Sequence, residues 1–157
     1  MPDLPYVDLY CGAGGLSLGL RQAGMTPVFA ADHADIAVQT YTRNLGPHAV
    51  VADVAELSAR EVLRAAGVGR GELALVCGGP PCQGFSVQRR GEVVDPRNEQ
   101  VPRFIDLALT MRPWAILLEN VPGLLGRRGR SYLAQVRGKL GAGGYEIVQG
   151  VLQAADH

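Results

Sequence analysis

The fold of this chain is interpreted from one segment, Cys77-Gly78-Gly79-Pro80-Pro81-Cys82-Gln83-Gly84-Phe85-Ser86. It follows a short apolar run, residues 73–76, which is typical of a buried parallel strand. The glycines and prolines end that strand and disfavour a helix, so Cys82 is presented on a stiff loop at the carboxyl end of the strand. Ligands bind at this edge in open α/β sheets. A lone cysteine is most often a small buried hydrophobic residue, so it is the loop around Cys82 that indicates catalysis.

Composition limits the class of protein. The chain has 157 residues, of which 47% are hydrophobic and 19% charged, and this predicts one folded, soluble domain over residues 1–157. No apolar run approaches the ~20 residues of a membrane helix, and the first residues do not resemble a signal peptide. Three cysteines in such a chain favour reduced thiols and a cytoplasmic location. A metal site is not expected, since Cys77 and Cys82 enclose two prolines and no second ligand pair follows.

Apolar runs alternate with amphipathic segments along the whole chain. We predict strands at 6–10, 27–31, 48–52, 73–77, 114–118 and 145–152, and helices at 16–23, 35–44, 58–66, 101–111 and 131–140. This βαβα pattern indicates an α/β fold with a doubly wound, mostly parallel, Rossmann-like sheet. In the common strand order 3-2-1-4-5, strands one, four and five are neighbours, and the segments that follow them meet in one crevice.

A glycine loop follows the first predicted strand. Gly12, Gly14 and Gly15 allow a tight turn and a close approach of a ligand to the backbone. Asp32 and Asp53 end the second and third strands, and a carboxylate at Asp32 is placed to accept the hydroxyls of a ribose. Each acid alone is better explained as a helix cap, but the set favours a ligand that contains adenosine. A dinucleotide and S-adenosylmethionine both fit, although the G-x-G-G spacing leans toward the methyl donor.

Glu119 is the second catalytic candidate. It ends an apolar strand, where a carboxylate is expected to lose solvation and its pKa to rise. An acid that keeps its proton near neutral pH can act as a general acid. The alternative role is a cap for the turn at Pro122 and Gly123.

Three segments together resemble a known family. Residues 8–15 (Asp-Leu-Tyr-Cys-Gly-Ala-Gly-Gly), residues 79–86 (Gly-Pro-Pro-Cys-Gln-Gly-Phe-Ser) and residues 119–121 (Glu-Asn-Val) are similar to the ordered motifs of DNA cytosine-5 methyltransferases. The resemblance extends over nearly the whole chain. It implies the fold of methyltransferases that use S-adenosyl-L-methionine, a DNA partner, a restriction-modification setting and, in a prokaryote, association with the nucleoid.

The resemblance also implies the role of individual residues. Cys82 would add to C6 of a cytosine flipped out of the duplex, and Glu119 would donate a hydrogen bond or proton to N3. Asn120 would brace the cysteine loop. The residues that resemble the donor site are Tyr10, Gly12, Ala13, Gly14, Gly15, Asp32, His33, Asp53, Val54, Pro81 and Gln100. The candidates for DNA contact are Gln83, Ser86, Arg89 and Arg97. The whole-chain net charge of zero gives no independent support for DNA binding.

The sequence also departs from the family pattern. Gln100 stands where the family usually has an apolar residue beside the donor. The target-recognition region and the final donor-contacting helix of the family have no counterpart here, so we expect a fold that is incomplete at the C-terminus and a chain that is a fragment, or one half of an enzyme that needs a second chain and is inactive alone. The alternatives are a tRNA cytosine-5 methyltransferase, a non-catalytic donor-binding subunit, and a dinucleotide oxidoreductase.

Overall fold

A computed structural model describes residues 3–81, 100–126, 129–153 and 155. Strands and helices alternate along the chain as the sequence predicts. They are β1 (Pro5–Leu9), α1 (Gly15–Gln22), β2 (Thr26–Asp32), α2 (Asp35–Leu45), β3 (Ala49–Val51), α3 (Ala59–Ala66), β4 (Leu75–Gly78), α4 (Gln100–Met111), β5 (Ala115–Leu118), a 3-10 helix (Pro122–Leu125) and α5 (Arg130–Ala142). The longest of these helices, α5, has 13 residues, and none of the described helices combines the length and hydropathy of a membrane crossing.

The five strands form one parallel sheet in the order β3-β2-β1-β4-β5, which confirms the predicted α/β class and strand order. β1 lies at the centre, where Asp8 is opposite Ala30 of β2 and Cys77 of β4. β2 and β3 lie on one side of β1, whereas β4 and β5 lie on the other, so the strand order reverses between β1 and β4. At such a point a crevice forms at the carboxyl ends of the strands. The glycine loop and the cysteine loop leave the sheet from these two neighbouring strands.

The core is closely packed around β1 and β4. All four residues of β4 are buried, and on one side of the sheet they meet α4 through side chains such as Phe104, which is fully buried. Gly78 has to be glycine, because a Cβ there would clash with the carbonyl oxygen of Leu9 and lie 3.0 Å from Phe104 Cε2. The last residue of β4 is therefore adapted to the packing of the sheet before the Gly-Pro-Pro loop begins.

The N-terminus of α3 is stabilised by a capping box, as the Ser-x-x-Glu spacing predicts. The amide of Glu61 donates to Ser58 Oγ at 3.3 Å, and the amide of Ser58 donates to Glu61 Oε2 at 2.9 Å. The Ser58 hydroxyl also donates to Glu61 Oε2 at 2.6 Å, and this bond, together with the one from the Ser58 amide, holds the pKa of the Glu61 carboxyl below its usual value. The helix ends at Gly67, which has φ 69°.

The predicted strand at 145–152 is wrong: this segment has neither helical nor strand structure. Tyr145 donates a hydrogen bond to the carbonyl oxygen of Pro113 at 2.6 Å, but Val148 and Leu152 are 92% and 85% exposed. Within the described part of the chain, β5 pairs with β4 alone. An apolar segment becomes a strand only when a neighbour supplies hydrogen bonds, and no strand lies beside this one in the part of the chain that the structure describes.

Candidate active site

The glycine loop joins β1 to α1 in a backbone conformation that few side chains tolerate. Gly14 has φ 95°, and a Cβ there would clash with Leu45 Cδ1 and lie 2.8 Å from Tyr41 Cδ2. Gly14 is thus required by the packing of α2 against the loop. Gly15 is different: apart from its chain neighbours and the backbone of α1, no atom of the described residues lies within 4 Å of the position of its Cβ. The absence of a side chain at Gly15 leaves open space in front of the loop.

Asp32 connects the glycine loop to the end of β2. Its Oδ2 accepts a hydrogen bond from the Gly12 amide at 2.9 Å, and its Oδ1 accepts one from the Ala34 amide at 2.9 Å. The residue is 8% exposed, so these bonds compensate for the burial of its charge. A carboxylate has about four acceptor positions, which leaves capacity for the hydroxyls of a ligand. The neighbouring His33 ring is largely exposed, with Nδ1 3.4 Å from Asp32 Oδ1.

The Asp53 turn, residues 53–57, follows β3 and leads into α3. Asp53 Oδ1 accepts a hydrogen bond from the Ala55 amide at 2.9 Å, and the Asp53 carbonyl accepts one from Glu56 at 3.0 Å. Asp53 is exposed, whereas Val54 is 1% exposed and belongs to the main core. The structure therefore presents the carboxyl group of Asp53 at the surface and uses the side chain of Val54 in packing.

Gln100, the first residue of α4, bonds to Tyr10, a donor-site candidate at the end of β1. Its Oε1 accepts a hydrogen bond from the Tyr10 hydroxyl at 2.7 Å, so the first residue of α4 contacts the end of β1. Burial, with the charge of Asp53, raises the pKa of the Tyr10 phenol, which keeps it in the donating form. The polar residue at position 100 thus gives a partly buried hydroxyl its partner, a pairing that the sequence reasoning missed.

The loop that leads to Cys82 is braced from β5. Asn120 Nδ2 donates a hydrogen bond to the Pro80 carbonyl at 3.0 Å, and the Glu119 amide donates to the Gly78 carbonyl at 3.0 Å. The Glu119 carboxylate lies directly over Gly79, since Oε2 is 2.9 Å from the position of a Cβ there. The acid and the start of the cysteine loop are therefore adjacent.

Two expectations about this loop had different outcomes. Glu119 is exposed, so the burial expected for its carboxyl group is wrong. The physical reason is that successive side chains of β5 point to opposite faces: Ile116 and Leu118 pack against the core, whereas Glu119 follows Leu117 on the exposed face. The nucleophile candidate Cys82 and the DNA-contact candidates Gln83, Ser86, Arg89 and Arg97 lie outside the described residues.

The other two cysteines are poor nucleophiles. Cys11 and Cys77 are both buried. Burial, with the nearby Asp8 and Asp32 charges, raises the pKa of the Cys11 thiol to about 12, and burial also raises that of Cys77. Because the thiolate is the reactive form, neither is suited to attack at neutral pH. Of the three cysteines in the sequence, Cys82 remains as the candidate.

A buried polar network beneath the glycine loop was also missed by the sequence reasoning. Ser17 Oγ donates a hydrogen bond to Asp8 Oδ2 at 2.6 Å and accepts one from the Tyr41 hydroxyl at 2.9 Å. The Tyr41 hydroxyl is also 3.1 Å from His48 Nε2. Asp8 is 1% exposed, and burial raises the pKa of its carboxyl group to about 6. The network connects β1, α1 and α2, but its members are too far apart in sequence for a local motif.

The parallel sheet, the glycine loop and the Glu-Asn pair beside the Pro-Pro-Cys loop together define a class of protein. The chain belongs to the C-5 cytosine-specific DNA methylase family, whose model matches residues 4–157. The sequence resemblance is thereby confirmed.

Individual relatives narrow the comparison to type II methyltransferases. The chain is 37% identical to M.XorII of Xanthomonas oryzae pv. oryzae and 39% identical to M.AgeI of Thalassovita gelatinovora, over 96% of its length in each case. It spans 36% and 35% of these two proteins, just over a third of their length. Among solved structures, a prophage-encoded E. coli protein described as a DNA modification methyltransferase superposes with a TM-score of 0.77 at 30% identity, over 89% of this chain and 38% of that one.

Proposed function

We propose that this protein carries the donor-binding and catalytic part of an enzyme that transfers a methyl group from S-adenosyl-L-methionine to C5 of cytosine in DNA. One observation carries the proposal: the glycine loop, Asp32 and the Glu119-Asn120 pair are at the same carboxyl edge of one sheet. They follow β1, β2 and β5, and the loop to Cys82 leaves β4 between them. Unrelated structural roles would not be expected to gather at one edge.

The residues at this edge fit the donor. The open space in front of Gly15 admits the ligand close to the backbone, and the remaining acceptor positions of Asp32 suit the ribose hydroxyls. The exposed His33 ring can stack on the adenine, and the second carboxylate oxygen of Asp53 can accept from its amino group. Tyr10, Ala13, Pro81 and Gln100 would complete the pocket. When bound there, the donor supplies an electrophilic methyl group.

The chain's own residues would activate the cytosine. The Cys82 thiolate adds to C6 of the flipped base, while Glu119 donates a hydrogen bond or proton to N3 and stabilises the charge that develops in the ring. C5 becomes nucleophilic as a result. After methylation, loss of the C5 proton and expulsion of the Cys82 thiolate restore the enzyme. The bond from Asn120 to Pro80 supports this step, since it fixes the loop two residues before the nucleophile.

Adduct formation is the direct test. DNA that contains 5-fluorocytosine cannot release the C5 substituent, so the covalent adduct at C6 persists. We expect the chain, with a complementing C-terminal region from a relative such as M.AgeI, to form a covalent complex with this DNA in the presence of the donor. Cys82→Ser should abolish the complex, while Cys11→Ser should retain it, because the Cys11 thiol is buried and protonated. A complex that survives in Cys82→Ser would overturn the proposal.

The acceptor can be tested in the same reaction. We propose DNA, with Gln83, Ser86, Arg89 and Arg97 as its contacts, because the family is described as a DNA methylase and the prophage-encoded structural relative as a DNA modification methyltransferase. Labelled methyl transfer to duplex DNA and to tRNA should favour DNA. The reverse preference would instead identify the protein as a tRNA methyltransferase. A calorimetric titration that shows binding of NAD and not of S-adenosylmethionine would identify an oxidoreductase.

We also propose that a second chain contributes to the active enzyme, which works in the cytoplasm. The support is the outer edge of β5, which is unpaired among the described residues; Trp114 just before this strand and Leu117 within it are 64% and 40% exposed. An apolar open edge is suited to pairing with a further strand. Clear methyl transfer by the purified chain alone would show that no second chain is needed. It would also exclude the alternative that this chain is a non-catalytic subunit.

A further inference from the structure

Arg103 makes two hydrogen bonds from α4 to the Asp53 turn. Its Nε donates to the Ala55 carbonyl at 3.0 Å and its Nη2 to the Leu57 carbonyl at 2.6 Å. The guanidinium is rigid and planar, so two bonds to acceptors two residues apart fix both the distance and the orientation of the turn. Arg103 and its acceptors are separated by 48 and 46 residues, so this contact exists only in the folded chain.

The turn that Arg103 holds begins with an acid at the proposed donor site. One Asp53 oxygen accepts a hydrogen bond from the Ala55 amide at 2.9 Å, and the other has no hydrogen-bond partner among the described residues. The charges of both Asp53 and Arg103 act on the Tyr10 phenol. The Tyr10 hydroxyl in turn bonds to Gln100, the first residue of the helix that carries Arg103. The first turn of α4 therefore contacts both the end of β1 and the Asp53 turn.

We propose that Arg103 is a positioning residue for the methyl donor: it orients the Asp53 turn so that the free carboxylate oxygen of Asp53 meets the amino group of the adenine. This inference rests on the proposed donor site. Arg103 does not touch the reacting atoms. Its effect is confined to recognition of the adenine, and it acts through the backbone carbonyls of Ala55 and Leu57.

The structure provides a matched control. Arg70 also links the α3 region to α4, since its Nε donates to the Thr110 carbonyl at 2.8 Å. That bond lies at the opposite end of α4, away from the Asp53 turn. Arg70→Ala therefore removes an arginine-to-carbonyl bond between the same two parts of the fold without altering the proposed site.

The first measurement needs no ligand. Hydrogen exchange at the Ala55 and Glu56 amides reports the Asp53 turn, because both amides donate to Asp53. We expect exchange to be about tenfold faster in Arg103→Ala, since buried or partly buried bonds to a charged donor stabilise a turn by that order. Exchange in Arg70→Ala should match the unmodified chain. Unchanged exchange in Arg103→Ala would overturn the inference.

The second measurement separates positioning from general stability. S-adenosylhomocysteine and its analogue with an unsubstituted purine differ only in the amino group that Asp53 would accept from. The unmodified chain and Arg70→Ala should prefer the amino compound by about tenfold or more. Arg103→Ala should lose most of that preference, and Arg103→Lys should recover part of it, since an ammonium can replace one of the two bonds.

Each outcome has a separate meaning. An equal loss of affinity for both compounds in Arg103→Ala, or an intact preference, would overturn the positioning role and leave the donor site standing. Failure of the unmodified chain to bind either compound would overturn the proposed donor site and this inference with it.

Discussion

Replacement of Asp8 by Asn tests whether the buried network beneath the glycine loop has been described correctly. The Asp8 carboxyl group is 1% exposed, and its Oδ2 accepts a hydrogen bond from Ser17 Oγ at 2.6 Å. Burial raises its pKa from the usual 3.8 to about 6, with the Ser17 bond opposing the change. An asparagine amide keeps a carbonyl acceptor of the same shape for Ser17 and carries no titratable group.

The sign and size of the effect follow from proton linkage. Because the folded chain binds the Asp8 proton more tightly than the unfolded chain, the stability contributed by this group is fully present below about pH 4 and is lost as the pH rises through about 6. A pKa that moves from 3.8 to about 6 corresponds to about 3 kcal/mol. Asp8→Asn lacks this term, so its unfolding free energy relative to the unmodified chain should rise by about 2–3 kcal/mol between pH 4 and 7.5.

Urea unfolding of both proteins at half-unit steps over this pH range measures the difference directly. Other carboxyl groups, such as Glu61 with its lowered pKa, titrate in both proteins and cancel. The Asp8 carboxyl carbon should also titrate near pH 6 by NMR. A stability difference that stays constant with pH, or that moves toward the unmodified chain as the pH rises, would refute the reasoning.

Three further substitutions test the candidate site. Gly14→Ala should lower the unfolding free energy by about 2–4 kcal/mol, because the new methyl group clashes with Leu45 and the backbone has φ 95°; a melting temperature equal to that of the unmodified chain would contradict this. Gly15→Ala should fold normally but weaken donor binding at least about tenfold by filling the open space, and unaltered affinity by calorimetry would show that the donor lies elsewhere. Asn120→Asp keeps an acceptor but loses the N–H that donates to the Pro80 carbonyl. Formation of the 5-fluorocytosine adduct should therefore slow about tenfold or more, while donor binding is retained. An unchanged rate would show that Asn120 does not brace the cysteine loop.

Several features were accessible from the sequence because they depend on neighbours along the chain. Apolar runs broken by glycine and proline predicted β1 to β5 and the helices between them to within a few residues. The alternation of strands and helices then limited the sheet to few arrangements, and the observed order is the common one. The capping box at Ser58 is likewise a local pattern with a local cause.

Other features were decided only when distant segments met. The 145–152 segment is rich in apolar residues but has no strand beside it among the described residues, and Glu119 is exposed because it lies on the open face of β5. The bonds of Arg103 to the Asp53 turn span more than 40 residues, and Tyr10 meets Gln100 across 90. Local residue patterns determine which segments become strands and helices, whereas burial, pKa and side-chain pairing depend on which segments come to lie side by side, and that is a property of the tertiary structure.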